Sequence, residues 1–216
     1  MNRFLAFASF ALPTVAGLVA VLWVGAGYAG SYPLALAVTV LIGAFFLVGV
    51  AELYRYRQAT QTLTGALAGL SEPAPPLADW LNQIDPALRQ PVRQRVEGER
   101  AGLPAPSLTP YLAGLLVLLG MLGTFAGMVA TLKGAALALQ TSSDLATIRS
   151  ALMAPVQGLG LAFGTSVAGV AASAALGLAT ALCRRARARA GRQLDALVGS
   201  HLQALGAAGR RAARQQ

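Results

Sequence analysis

Three long stretches of this sequence contain no charged residue, and no other feature restricts the fold as strongly. They run from Phe4 to Ala51, from Ala101 to Leu132 and from Ser150 to Cys183. Each is longer than the roughly 20 apolar residues that a helix needs to cross a bilayer. Charged residues make up only 12% of the chain, about half of their usual share in soluble domains. The sequence therefore predicts an all-α, polytopic membrane protein.

The first stretch is long enough for two membrane spans. As one helix it would measure about 72 Å, more than twice the roughly 30 Å hydrocarbon core. Turn-forming glycines and Pro33 interrupt it near residues 25–33. Pro155 suits the first turn of the last span. The apolar run is too long for a signal peptide, and a second span follows at once, so we expect a retained N-terminal hairpin. Four spans are predicted, at residues 4–27, 33–54, 109–132 and 155–183.

Arginines outside the spans predict the orientation. The segment 55–108 and the residues after 183 hold most of them, whereas the loop between spans three and four carries only Lys133, Asp144 and Arg149. Because basic residues favour the cytoplasmic side, both basic regions and both termini are expected in the cytoplasm. The predicted parts are a hairpin (1–54), a cytoplasmic helical segment (55–108), a channel-like region (109–183) and a basic C-terminal helix (184–216).

Short helices are expected within the cytoplasmic segment. Residues 55–70 should continue span two as a helix, and the prolines near 73–76 should end it. Apolar residues at Leu77, Trp80, Leu81 and Ile84 follow helical spacing. Asp85-Pro86 can start a further helix.

The sequence offers little catalytic chemistry. No span contains Asp, Glu, Lys or Arg, and the single histidine, His201, lies outside the spans. No Cys/His cluster suits a metal, and no phosphate-binding loop is present. We therefore expect neither an enzyme nor a cofactor. The net charge of +9 comes without the aromatic interleaving or modules of nucleic-acid-binding proteins, so no nucleic acid is expected as a partner.

Small and hydroxylated residues form a stripe along each of the last two spans. Such stripes allow close helix packing, and their hydroxyls could also line a polar path. Spacing alone favours packing. The span-three stripe contains Gly120, Thr124, Gly127 and Thr131. The span-four stripe contains Gly158, Ala162, Ser166, Gly169, Ser173, Gly177 and Thr180.

Two motifs on these spans carry a family resemblance. Residues 119–128, Leu-Gly-Met-Leu-Gly-Thr-Phe-Ala-Gly-Met, resemble the Gly-Leu-x-Gly-Thr-x-x-Gly signature of the MotA/TolQ/ExbB proton-channel family. Residues 160–170, Gly-Leu-Ala-Phe-Gly-Thr-Ser-Val-Ala-Gly-Val, resemble its second signature, although Ser166 stands where the family usually has threonine. The N-terminal hairpin makes the layout most similar to the ZorA-like and MotA-like motor subunits. MotA has prolines in the middle of its corresponding spans, which this chain lacks.

The resemblance implies a function and an assembly. It implies a homopentameric ring in the bacterial inner membrane, whose third and fourth spans surround a MotB/ExbD/ZorB-like partner dimer. That partner has one span with a membrane Asp, with or without a peptidoglycan-binding OmpA-like domain. Ion flow, most simply of protons, would drive rotation or force transmission. A non-conducting scaffold and a small transporter subunit remain open alternatives.

The resemblance also implies roles for particular residues. Thr124, Thr165 and Ser166 would contact the ion and the partner Asp. The small residues that would line the pore are Gly120, Gly127, Thr131, Ala162, Gly169 and Ser173. Membrane lipid would surround the ring.

Overall fold

The structure, a computed structural model, describes the backbone of residues 2–30, 32–70, 76–99, 101–141 and 145–198. It describes the side chains of residues 10–30, 32–70, 76–99, 101–137, 140 and 163–198. Within these residues the regular structure is helical and contains no strand, as predicted. The helices are α1 (Asn2–Tyr28), α2 (Pro33–Ala68), α3 (Leu77–Asn82), α4 (Pro86–Val96), α5 (Leu108–Thr141) and α6 (Leu145–Leu197).

Four of these helices are long and apolar enough to cross a membrane, which confirms the predicted number of spans. The break between the first two lies where the glycine and proline cluster predicts it. Gly30 there has a φ of 88°, in the left-handed region that glycine adopts at little cost. The candidate spans within the described residues are Phe10–Tyr28, Pro33–Ala68, Leu108–Leu137 and Phe163–Leu197.

Helix α6 begins earlier than predicted. Its first residue is Leu145, so Pro155 lies inside the helix rather than in its first turn. The expected loop between spans three and four shrinks, because Lys133 belongs to α5 and Arg149 to α6; Asp144 lies outside the described residues. Proline is tolerated inside membrane helices because neighbouring groups can satisfy the carbonyl that it leaves free. Pro13 within α1 is a second case in this chain.

One compact unit comprises residues 1–51 and 107–180. Its parts of α1, α2 and α5 all pack against α6, the most buried of the four spans. A Cβ on Gly17 would lie 2.7 Å from the Ala175 Cβ, and one on Gly49 would lie 2.7 Å from a Leu176 methyl group. These glycines therefore allow α1 and α2 to approach α6 closely.

The second compact unit comprises residues 52–106 and 181–216. Helix α2 continues to Ala68, and α3 and α4 form where the apolar spacing and the Asp85-Pro86 signal predict helices. The Asp85 carboxylate caps α4 by accepting a hydrogen bond from the Ala87 N–H at 2.9 Å. Residues 71–75 lie outside the described residues. The core of the unit contains Leu63, Trp80, Ile84, Leu88, Val92, Val96, Ala190 and Leu194.

Candidate functional site

The two motifs meet where α5 crosses α6. A Cβ on Gly169 would lie 2.5 Å from the Leu116 carbonyl oxygen and 2.8 Å from the Gly120 Cα. Real Cβ atoms do not approach backbone this closely, so a side chain at residue 169 would force the two helices apart. Gly120 faces the same contact, with the Gly169 Cα 3.2 Å from a Cβ built on it. Backbone therefore touches backbone at this crossing.

The crossing has an antiparallel register. The Ser173 hydroxyl donates to the Ala113 carbonyl oxygen at 2.7 Å. Further along α5, Gly120 meets Gly169, and a Cβ on Gly123 would lie 2.8 Å from the Thr165 hydroxyl oxygen. Contacts thus advance along α5 as they recede along α6. Gly120, Gly169 and Ser173 pack the two helices within one chain, and their lining of a pore remains a prediction.

Thr165 is enclosed in the unit that contains this crossing. Its side chain is only 1% exposed and faces the space that the missing side chain of Gly123 leaves. In the single chain this threonine contributes to the packing of α5 on α6. Its contact with an ion or a partner carboxylate stays a prediction.

Thr124 and Ser166 are half-buried at the edge of the same crossing. Thr124 follows Gly120 by one turn of α5. A Cβ built on Gly120 would lie 3.3 Å from the Ser166 Cα, so Gly120 lies beside Ser166 and one turn from Thr124. The Thr124 hydroxyl donates to the Gly120 carbonyl oxygen at 2.8 Å. Because its one proton is used within the helix, its lone pairs can accept a hydrogen bond from a further group.

The remaining predicted site residues have different surroundings. Thr131 donates to carbonyl oxygens of its own helix, those of Gly127 at 3.1 Å and Met128 at 2.9 Å. Gly127 and Thr131 are half-buried. The side chain of Ala162 lies outside the described residues. The structure therefore brings together Gly120, Thr124, Thr165, Ser166 and Gly169, while Thr131 lies about three turns from Gly120.

Tyr28 is a residue near the crossing that the sequence analysis missed. A tyrosine at the end of a span is typical of the membrane interface, yet Tyr28 is only 5% exposed. Its hydroxyl is hydrogen-bonded to the backbone of Thr165. A Cβ on Gly164 would overlap this hydroxyl oxygen. The glycine in the second motif thus makes room for the tyrosine, a pairing too distant along the chain for local pattern to indicate.

The described residues contain no group of three or more His, Cys, Asp and Glu side chains that could hold a metal ion. No Asp, Glu, Lys or Arg occurs between residues 4 and 51, 101 and 132, or 150 and 183. The polar groups at the α5–α6 crossing are therefore hydroxyls and helix carbonyls. They can accept and donate hydrogen bonds but do not titrate near neutral pH.

Over the residues that the structure describes, the fold and the crossing define an all-helical protein with four helices long and apolar enough to cross a membrane. Comparison with protein-family models, curated proteins and solved structures finds no significant match.

Proposed function

We propose that this chain is the ring-forming subunit of an ion-driven membrane motor of the MotA/TolQ/ExbB type, with a layout like that of ZorA-like and MotA-like subunits. Five copies would surround two single-span partner helices in the bacterial inner membrane, with both termini in the cytoplasm. The supporting observation is that the two motifs meet at Gly120. A Cβ built on Gly120 would lie 3.3 Å from the Ser166 Cα, and the half-buried Thr124 donates to the Gly120 carbonyl oxygen.

The charge distribution favours a titrating group on the partner rather than on this chain. A proton-driven device needs a group within the membrane that binds and releases the ion, and the apolar stretches of this chain contain none. A carboxylic acid on the partner span would supply it. When protonated, that acid can donate a hydrogen bond to the lone pairs of the Thr124 hydroxyl. When ionised, it is costly in an apolar environment and favours a polar contact.

This chemistry gives a stepwise mechanism. The protonated partner side chain can pass the apolar surface between two subunits, because it carries no charge. It releases its proton where hydroxyls and water stabilise the carboxylate, and the charge then holds it at that subunit. A partner dimer inside a ring of five subunits cannot place its two acids at equivalent sites of the ring at the same time. Each proton that is bound and released therefore advances the ring by a fraction of a turn.

Substitution of the two hydroxyls tests this mechanism. Thr124→Val combined with Ser166→Ala keeps the side chains small and removes only polar contacts. Loss of hydrogen bonds to a charged group should lower proton flux into proteoliposomes containing the chain and its co-purified partner by about ten- to a hundredfold. Thr39→Val is the matched control, because Thr39 also donates to its own helix, at 2.8 Å to Ala35, but lies outside both motifs.

The tight contacts at Gly120, Gly169 and Ser173 favour a second candidate, a non-conducting membrane scaffold. For a scaffold the double variant should behave like Thr39→Val. An intact complex with unchanged proton flux in the double variant would rule out the proposed roles of Thr124 and Ser166. Co-purification of a single-span protein with one membrane Asp would separately support the motor assembly.

A further inference from the structure

A cavity of about 340 Å³ in the second unit, residues 52–106 and 181–216, has a strongly basic lining. Four arginines contribute to it, Arg95, Arg184, Arg187 and Arg192, against one carboxylate, Asp195. Arg95 contacts that carboxylate, with its Nη1 3.0 Å and 3.1 Å from the two Asp195 oxygens. The other three arginines make no ion pair with a carboxylate in the described part of the chain.

Arg187 is the fixed element of this lining. It is 4% exposed, and its guanidinium lies 3.8 Å from the centroid of the Tyr56 ring. Its Nε donates to the Thr60 hydroxyl at 2.8 Å, and its two terminal nitrogens donate to carbonyl oxygens of Pro104 and Tyr56. Three of its five N–H groups are thus used by neutral oxygens, which fix its orientation without pairing it with a carboxylate. The Asp85 carboxylate acts on its charge only electrostatically.

Helical spacing places further guanidinium groups at the same cavity. Arg184 precedes Arg187 by one turn, and Arg192 follows it by five residues on α6. Gly191, between Arg187 and Arg192, leaves space for the Arg95 guanidinium, since a Cβ at residue 191 would lie 3.4 Å from the Arg95 Nη1. Arginines gathered around one cavity repel each other, and an anion among them would offset this repulsion.

From this geometry we infer that the cavity binds a phosphate group, carried by an anionic phospholipid or by a soluble phosphate. Guanidinium groups bind phosphate oxygens through paired, charge-assisted hydrogen bonds. The volume lies within the range of ligand pockets and exceeds what one phosphate fills, so glycerol or a second phosphate fits too. Arg184 follows directly on the charge-free stretch that ends at Cys183, and basic pockets beside membrane helices typically bind lipid head groups. The inference rests on the cavity alone and is independent of the motor proposal.

The test compares two double variants of the full chain in detergent. Arg184→Gln with Arg192→Gln removes two exposed cavity arginines without disturbing buried Arg187. Arg185→Gln with Arg189→Gln removes the same charge from the same helix at exposed residues that do not line the cavity. Native mass spectrometry measures binding of phosphatidylglycerol, with zwitterionic phosphatidylcholine as the reference lipid. A second arm measures binding of inorganic pyrophosphate by calorimetry.

We expect the unmodified chain to bind phosphatidylglycerol in preference to phosphatidylcholine. The affinity for phosphatidylglycerol should fall at least about tenfold in the cavity variant and stay within about twofold of the unmodified chain in the control variant. Pyrophosphate binding with the same dependence on the two variants, without a lipid preference, would support the site with a soluble ligand. Equal losses in both double variants would overturn the inference, because they would indicate general surface attraction. Absence of binding in both arms would overturn it as well.

Discussion

Gly169 and Gly177 lie about two turns apart on α6, yet a methyl group added to each would meet opposite surroundings. At residue 169 the new Cβ would lie 2.5 Å from a backbone oxygen of α5, whereas at residue 177 no atom lies within 4 Å. A helix cannot relieve the first contact by rotating a side chain, because the obstacle is backbone. The two glycines belong to the same sequence stripe, but only Gly169 is required for packing.

Gly169→Ala should therefore lower the free energy of unfolding by about 1–3 kcal/mol. Gly177→Ala should leave it unchanged or raise it by up to about 1 kcal/mol, because alanine favours helix over glycine. Denaturation in mixed micelles, followed by circular dichroism, measures both variants under the same conditions. Similar effects of the two substitutions would contradict the close α5–α6 crossing.

The spacing of the stripe does not show which of its residues pack against a neighbouring helix. The steps of three and four that connect Ser166, Gly169, Ser173 and Gly177 identify one helix face, but not what covers it. The covering residues, Leu116 and Ala113, come from a helix about 60 positions earlier. The sequence does not predict the contacts of Tyr28 and Arg187 for the same reason, since their hydrogen-bond partners lie more than 80 residues away along the chain. Local patterns predict a face, and only tertiary contact assigns its function.

At the scale of the element, the end of α2 is held by a residue of α3. The last four carbonyl groups of a helix lack partners within it. The Gly69 N–H donates to the Gly65 carbonyl oxygen at 3.0 Å. The Trp80 indole N–H donates to the Ala66 carbonyl oxygen at 3.0 Å while its ring is buried in the core of the unit. One tryptophan thus satisfies a helix terminus and fills the core beneath it.

Trp80→Phe should lower the free energy of unfolding by about 1–3 kcal/mol, because it leaves the buried Ala66 carbonyl without its donor. The matched control is Trp23→Phe on α1, where the side chain is 75% exposed and the effect should stay within about 0.5 kcal/mol. Since the chain has two tryptophans, the control variant also reports Trp80 alone by fluorescence. A Trp80→Phe variant as stable as the control would argue against this capping role.

The sequence predicts the presence of the helices more accurately than the residues at which they begin and end. The charge-free stretches and the Gly30 break predict the four spans, and Asp85-Pro86 predicts the start of α4. The sequence predicts the start of α6 too late, because Pro155 is typical of the first turn of a helix, whereas α6 begins at Leu145 and continues through Pro155. Helices of this kind are stabilised by their neighbours, so a single proline does not decide where they begin.

At the scale of the whole molecule, large apolar side chains remain exposed along α5 and α6 of the single chain. In a membrane such surfaces can be covered by lipid or by neighbouring copies, with small energetic difference between the two. The proposed ring requires that copies meet through these helices, while α1 faces lipid. The exposed residues include Leu118, Leu122, Phe125, Phe163, Val167 and Val170.

Cysteine crosslinking distinguishes the two kinds of surface. In a Cys183→Ala background, Val167→Cys on α6 should form disulfides between copies in native membranes. Leu12→Cys on α1, equally apolar and 71% exposed, should form few, because lipid would separate it from other copies. Native mass spectrometry should show an assembly of five copies of the 22.1 kDa chain. Efficient crosslinking through Leu12 without crosslinking through Val167, or a stable assembly of another size, would contradict a ring built on α5 and α6.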